Sequence, residues 1–178
     1  IYLFFTLVEN APERQYFYVP TSQSKDFLTW TEPKILTERD SLKNYSSPGN
    51  VIKYNGEYYL CLQTYPREDG QIYGNENSRI FTMKSEDLMN WKKPALLKVK
   101  GDVPEKEMGR MIDQYLLDDG DKFICFYKQN GVSISTSTDL ANWKYEDFTA
   151  CGDNEDDYLF GASLAVAFSD DLKKWSEK

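Results

Sequence analysis

The sequence contains no histidine among its 178 residues. This excludes Ser-His-Asp and Cys-His triads and histidine-based zinc sites within these residues. Acid–base chemistry would have to come from Asp, Glu, Tyr or Lys side chains. Only three cysteines are present, and two of them, Cys61 and Cys125, occupy equivalent places in predicted strands. We interpret them as small apolar residues of packed sheets, and the sequence predicts neither a metal nor a cofactor.

A basic stripe and long apolar runs are also missing from the sequence. The net charge is −8, and no basic stripe is present that could meet a phosphate backbone. No run of 18 apolar residues occurs. The sequence therefore predicts no nucleic-acid partner and no membrane span, and it does not predict an oligomeric state.

A seven-residue motif, Ser-x-Asp-(Leu/Phe)-x-x-Trp, occurs four times and contains every tryptophan of the sequence. Its Ser and Asp oxygens can accept hydrogen bonds from backbone N–H groups two or three residues later, which would fix a turn after a strand. The Leu or Phe and the Trp would then fold back as apolar anchors against the next unit, so each Trp is expected to pack at a junction between blades. A unit repeated in this way is typical of repeat architectures, and we assign the motif to the scaffold. The four copies are Ser24–Trp30, Ser85–Trp91, Ser137–Trp143 and Ser169–Trp175.

The residues before each motif indicate short strands rich in aromatic and β-branched side chains. One strand of each pair is predicted at 1–6, 58–62 and 123–127. The second, which runs into the motif, is predicted at 16–19, 79–84, 132–136 and 163–168. Several such strands in each unit predict an all-β fold, a β-propeller with blades of four antiparallel strands.

The repeats divide a single domain, 1–178, into blades. We predict a partial blade at 1–40, complete blades at 41–98 and 105–148, and the remnant of later blades at 149–178. The tryptophans lie 61, 52 and then 32 residues apart, whereas a blade needs about 40–50 residues. We therefore expect residues to be missing near 153–158, and an innermost strand to lie upstream of Ile1.

Turn residues support this division. Asn55-Gly56 predicts a tight hairpin between two strands of the second blade, and a long polar loop is predicted at 64–78. The innermost strand of the third blade is predicted at 110–117, followed by a turn. The aspartates assigned to turns are Asp26, Asp87, Asp118, Asp119, Asp139 and Asp171.

At this point the chain resembles the five-bladed β-propeller glycoside hydrolases of families 32, 43, 62 and 68, and family 43 or a family 32-like relative looks closest. The resemblance rests on the repeated motif, on 50–60 (Asn-Val-Ile-Lys-Tyr-Asn-Gly-Glu-Tyr-Tyr-Leu) and on Met111-Ile112-Asp113-Gln114 followed by 118–123. Sialidase Asp boxes match less well, because the glycine of that motif is absent here. WD-type propellers would show Gly-His pairs.

The resemblance implies three acidic residues near the propeller axis: a general base, a general acid and an Asp that orients the acid. Asp113 takes the place of the orienting Asp, although Gln114 replaces the proline usual in the family. A buried Asp satisfied by backbone N–H groups is the structural alternative. Glu155 and Asp153 are candidates for the general acid, and a solvated turn is the alternative for them. The base is expected upstream of Ile1. Arg110, Asn50 and Glu107 are the candidate substrate-binding residues.

The leading function hypothesis is a glycoside hydrolase that acts on arabinosyl, xylosyl or fructosyl oligo- or polysaccharides. A carbohydrate-binding propeller without catalysis is the second hypothesis, and a protein-interaction propeller is the third. The resemblance also implies a periplasmic or extracellular location. Carboxylates converging at the axis would distinguish the first hypothesis from the others.

Overall fold

Three antiparallel sheets follow one another along the chain in the computed structural model, which describes residues 1–129 and 131–146. The first sheet has the order β1-β4-β5, with β1 at Tyr2–Phe4, β4 at Pro20–Gln23 and β5 at Lys34–Ile35. A separate hairpin of β2 (Leu7–Asn10) and β3 (Gln15–Tyr18) extends between β1 and β4. The described residues are thus strands and loops, with one short 3-10 turn at Glu105–Glu107.

The second sheet is built on the longest strand, β8 (Glu57–Thr64). On one side β8 pairs with β9 (Ile80–Ser85), which pairs with β10 (Ala95–Leu96). On its other side β8 pairs with two short strands, β6 (Tyr45–Ser46) and β7 (Val51–Tyr54). β7 and β8 are joined by Asn55 and Gly56, both at positive φ, as the Asn-Gly pair predicts.

The third sheet runs in simple order from β11 (Ile112–Asp118) through β12 (Phe123–Lys128) and β13 (Val132–Ser137) to β14 (Trp143–Tyr145). At the β11–β12 turn, Gly120 has φ 86°, and its N–H donates to Asp118 Oδ1 at 3.0 Å. The predicted turn at 118–120 is therefore confirmed. The register of β11 shifts between Ile112 and Tyr115, which marks a β-bulge.

Two apolar cores lie between the sheets, on opposite faces of β8. Leu60 and Leu62 face a core shared with the first sheet, whereas Tyr59 and Cys61 face one shared with the third sheet. The alternation follows from the two-residue period of a strand. β8 is apolar on both faces because it is buried between two neighbouring sheets. The two cores otherwise contain, respectively, Val19, Tyr45, Phe81 and Met83, and Ile80, Leu97, Val99, Met108, Met111, Leu116, Phe123, Cys125, Tyr127, Leu140 and Trp143.

Each of the three described copies of the motif forms the same turn at the end of a different sheet. In the copy after β9, Asp87 Oδ1 accepts from the N–H groups of Met89 (2.8 Å) and Asn90 (2.7 Å), and Ser85 Oγ accepts from the Asp87 N–H. The indole N–H of Trp91 donates to the Leu88 carbonyl at 3.0 Å. The copies at 24–30 and 137–143 repeat these bonds with Asp26 and Asp139. The predicted structural role of the motif is confirmed for these three copies.

The fourth residue of the motif lies in the left-handed region in all three turns. Phe27, Leu88 and Leu140 have φ values of 64°, 64° and 60°. This region costs an apolar L-residue about 1–2 kcal/mol. The hydrogen bonds of the Asp and Trp side chains hold the backbone there.

The motif tryptophans pack differently from one copy to the next. Trp91 meets Phe4 of the first sheet edge to face, with ring centroids 5.5 Å apart, and so lies between the first two sheets. Trp143 is buried in the core between the second and third sheets. Trp30 is 39 % exposed and contacts Phe27 of its own turn. Packing at a sheet junction is therefore confirmed for two tryptophans.

The strand prediction for the first sheet was wrong at one point. The strand that runs into Ser24 is β4, which begins at Pro20, whereas the predicted strand at 16–19 lies largely in the β2–β3 hairpin. Proline is tolerated there because it occupies the first position of the strand. β11 also begins at Ile112, two residues later than predicted. The fourth motif copy and the expected missing segment near 153–158 lie outside the described residues.

Within the described part of the chain, no helix is long and apolar enough to cross a membrane.

Candidate functional site

The three sheets meet near the end of β1, the end of β6 and the start of β11. Thr6 follows β1, and its hydroxyl accepts from the Ser47 N–H at 2.8 Å. The Ser47 carbonyl in turn accepts from Gln114 Nε2 of β11 at 2.8 Å. We call Thr6, Ser47 and Gln114 the three-sheet junction. It links the Thr6 and Gln114 side chains through the backbone of Ser47, and because these residues are far apart in sequence, no local pattern indicates the junction.

Asp113 lies in the bulge of β11, immediately before Gln114. Its φ is 55°, a conformation that few residues other than glycine adopt and that Asp tolerates better than most. The Asp113 N–H donates to Gln63 Oε1 at 2.7 Å. Gln63 is 2 % exposed in β8, so the bulge is fixed to the second sheet. Such conformations cost about 1–3 kcal/mol and persist where neighbouring contacts impose them, often at functional sites.

The bulge brings the Asp113 side chain to the surface between two buried neighbours, Ile112 and Gln114. Its carboxylate makes no hydrogen bond or ion pair with any described residue. The structural alternative, a buried Asp satisfied by backbone N–H groups, does not hold. The Asp113 side chain is exposed.

The chain approaches Gln114 closely at Gly49. A Cβ added to Gly49 would lie 2.6 Å from the Gln114 carbonyl oxygen, closer than real Cβ contacts, so this position requires glycine. The Gln114 amide is buried, and its Oε1 has no hydrogen-bond partner within the described residues. Gln114 therefore packs the second sheet against the third beside Asp113.

Asn50, a predicted substrate-binding residue, uses its side-chain amide for hydrogen bonds within the fold. Its Nδ2 donates to the Leu116 carbonyl at 2.7 Å, and its Oδ1 accepts from the Leu116 N–H at 2.9 Å. Both amide groups therefore join the second sheet to β11. Sequence reasoning missed this partner because Leu116 is 66 residues away.

Arg110 and Glu107 do not contact Asp113. Arg110 Nε donates to the Gly74 carbonyl at 3.1 Å, which ties the start of β11 to the β8–β9 loop. Glu107 belongs to the exposed 3-10 turn, and its carboxylate lies 3.9 Å from Lys106 Nζ. None of the three predicted substrate-binding residues forms a hydrogen bond or an ion pair with the Asp113 carboxylate.

The candidate acids Glu155 and Asp153 lie outside the described residues. Gln63, which sequence reasoning did not single out, is the residue that holds Asp113. The signal that could have found Gln63 is its polar amide directly after the apolar stretch 58–62. Within the described residues, no group of three or more His, Cys, Asp or Glu side chains could hold a metal ion.

Comparison with solved structures assigns the fold to that of glycoside hydrolases. A glycosyl hydrolase from Bacteroides ovatus superposes with a TM-score of 0.59 at 15 % identity, over 81 % of this chain and 44 % of its own. A structure from the family 130 mannoside phosphorylases and glycoside hydrolases that target β-1,2 mannosidic linkages gives 0.57 at 16 % identity, over 81 % and 44 %. The α-L-arabinanase of Cellvibrio cellulosa gives 0.51 at 16 % identity, over 80 % and 52 %.

These similarities show the fold, and the resemblance inferred from the sequence is confirmed at that level. The chain spans about half the length, or less, of these three solved structures. No family model and no curated protein matches the sequence.

Proposed function

We propose that this chain is part of a five-bladed β-propeller glycoside hydrolase that cleaves arabinosyl, xylosyl or fructosyl linkages. The three sheets are then consecutive blades. One edge of each sheet is formed by its first strand or strands: β1 in the first, β6 and β7 in the second, and β11 in the third. The observation that carries the proposal is the exposed Asp113 carboxylate, held on a strained bulge by Gln63 and left without a partner. Similar solved structures are glycoside hydrolases, which supports the same class.

In this proposal Asp113 orients the general acid and raises its pKa through like-charge repulsion. The acid is Glu155 or Asp153. A second carboxylate, outside the described residues, would activate water as the general base. The chemistry needs no group besides carboxylates, in keeping with a sequence that has no histidine.

The proposal is tested by incubating the full-length protein with arabino-, xylo- and fructo-oligosaccharides and measuring the release of reducing sugar. Turnover of at least one substrate, lost when Asp153 or Glu155 is changed to the amide, is the expected result. Absence of turnover on all three classes would contradict it.

A carbohydrate-binding propeller without catalysis is the second candidate. Two observations favour it: Gln114 stands where the related enzymes carry proline, and no described carboxylate contacts Asp113. Binding of the same oligosaccharides by calorimetry, without turnover, would distinguish it from the hydrolase.

A further inference from the structure

A cleft of about 730 Å³ opens beside the second sheet, separate from Asp113. Four segments form it: the tip of the β2–β3 hairpin, the connection from β5 to β6, the β8–β9 loop and the 3-10 turn. Neither Asp113 nor Arg110 lines it. This volume falls within the range of ligand-binding clefts, about 300–1,000 Å³.

The lining of the cleft is positively charged, although the chain carries a net charge of −8. Three acidic side chains, Glu68, Asp69 and Glu105, face five basic ones: Arg14, Lys43, Arg67, Arg79 and Lys106.

Local ion pairs neutralise only part of this positive charge. Arg14 pairs with Asp69 at 3.2 Å, Lys43 lies 3.9 Å from Glu105, and Lys106 lies 3.9 Å from Glu107. Arg67 and Arg79 form no ion pair with a described carboxylate. The cleft is thus lined by two guanidinium groups, those of Arg67 and Arg79, that have no ion-pair partner among the described carboxylates.

Arg79 is the more unusual of the two because it is 2 % exposed. Its Nε and Nη1 donate to backbone carbonyls only, those of Glu105 at 2.9 Å, Glu76 at 2.6 Å, Ser78 at 2.9 Å and Gly109 at 2.6 Å. Nη2 makes no hydrogen bond to a described residue. Burial lowers the pKa of Arg79, yet a guanidinium remains charged near neutral pH. Glu105 and Glu76 lie near enough to oppose that lowering of the pKa, but neither forms an ion pair with Arg79. A buried guanidinium whose hydrogen-bond partners are all neutral carbonyls would gain from an anionic partner.

Arg67 is held in place before any ligand arrives. Its guanidinium carbon lies 4.7 Å from the Phe17 ring centroid, and Nη1 donates to the Ile72 carbonyl at 2.9 Å. Nη2 donates to Gln15 Oε1. A side chain restrained in this way loses less rotamer freedom on binding than a mobile surface arginine.

The cleft lies at the same end of the second sheet as Asp113. The Arg79 N–H donates to Thr64 Oγ1 at 2.9 Å, and the Thr64 N–H donates to the Arg79 carbonyl at 2.8 Å. Thr64 directly follows Gln63, the residue that holds Asp113. A saccharide bound near Asp113 is therefore close to the cleft.

From this arrangement we infer that the cleft binds an oxyanion carried by a saccharide, either the carboxylate of a uronic acid unit or a sulfate ester. Guanidinium groups recognise both through charge-assisted hydrogen bonds. The inference rests on the proposed function only in taking a saccharide as the ligand.

The test is calorimetric binding to the full-length protein. The probes are xylotriose, xylotriose with a glucuronic acid branch, xylotriose with a sulfate ester, and inorganic phosphate and sulfate. At least one acidic trisaccharide should bind about tenfold or more tightly than the neutral one, the scale of a charge-assisted hydrogen bond. Raising the salt from 0.05 to 0.5 M should weaken that preference. The acidic trisaccharide that binds more tightly shows whether the oxyanion is a carboxylate or a sulfate ester.

Arg67→Gln should weaken binding of the acidic trisaccharide about tenfold and leave the neutral one unchanged. Lys93→Gln is the matched control, because it removes one positive charge from an exposed position outside the cleft. Circular dichroism checks folding, and if Arg67→Gln does not fold, Lys43→Gln at the half-exposed rim replaces it. Equal weakening by the control would overturn the inference.

Equal binding of neutral and acidic trisaccharides would also overturn the inference, as would inorganic ions that bind as tightly as the acidic sugars. Turnover is measured on the same preparations. Turnover of neutral oligosaccharides without a binding preference for the acidic ones would refute the inference about the cleft and leave the proposed hydrolase standing. Tighter binding of an acidic trisaccharide without any turnover would refute the proposed hydrolase and leave the inference about the cleft standing.

Discussion

Replacing Asn50 tests whether this side chain serves the scaffold or a sugar. Leu116, its partner, is 1 % exposed, and Asn50→Ala would leave both the N–H and the carbonyl of Leu116 without the amide that satisfies them. A buried group left unpaired costs about 1–3 kcal/mol, so for two groups we expect a loss of about 2–6 kcal/mol in the free energy of unfolding. In a chain of this size each kcal/mol lowers the melting temperature by about 2–4 °C.

Asn50→Asp sharpens the test because the change is nearly isosteric. The second carboxylate oxygen would face the Leu116 carbonyl, which disfavours the charged form and raises the folded-state pKa of the new carboxyl above its unfolded value. Protonation then favours the folded state and restores a donor. The stability gap to the unchanged protein should be large at pH 7 and shrink as the pH falls towards about 4.

Denaturant unfolding at pH 7 and pH 4 provides the measurement, with Asn77→Asp at an exposed loop position as the control for added charge. That control should be nearly neutral at both pH values. If Asn50→Ala left stability unchanged and only weakened oligosaccharide binding, the structural role assigned to Asn50 would be wrong.

Three further predictions concern the turns and the close contact at the junction. Backbone N–H groups, those of Thr29 first, lower the pKa of Asp26 from 3.8 to about 2. The stabilisation is therefore complete above the unfolded pKa and lost as the pH falls towards 2, and Asp26→Asn should flatten the melting temperature between pH 5 and 2. Gly49→Ala should destabilise by about 1–3 kcal/mol in denaturant unfolding, because its Cβ would meet a backbone oxygen; a neutral result would refute that contact. Phe27→Asn should be neutral or stabilising by up to about 1 kcal/mol, since Phe27 is 69 % exposed at φ 64° and Asn tolerates this region; a loss beyond 1 kcal/mol would contradict it.

Local patterns predicted the parts of the fold that local physics decides. Asn55-Gly56 requires two positive φ values and forms the hairpin, and the repeated Ser and Asp side chains form their turns with residues only two or three positions away. The β2–β3 hairpin was missed because Tyr16, Phe17 and Tyr18 read equally well as a sheet strand. Only the pairing of β2 with β3 distinguishes the two possibilities.

The candidate site was harder to predict because its contacts are distant in sequence. Asp113 could be singled out from its neighbours, but its bulge and its bond to Gln63 depend on packing between two sheets. Arg79 resembles an ordinary residue at the start of a strand, and its carbonyl partners at Glu105 and Gly109 lie 26 and 30 residues away. Such partners appear only once the chain is folded.

The most direct test of the proposed hydrolase is Asp113→Asn in the full-length protein. The Asp113 carboxylate bonds to no described residue, and Asn also tolerates its positive φ, so the change should leave the melting temperature nearly unchanged. Turnover on the best arabinosyl, xylosyl or fructosyl substrate should fall about a hundredfold or more. Asp121→Asn, at an exposed turn after β11, is the matched control and should retain full activity. A loss of about 1–3 kcal/mol in stability with turnover intact would remove Asp113 from the mechanism and contradict the account.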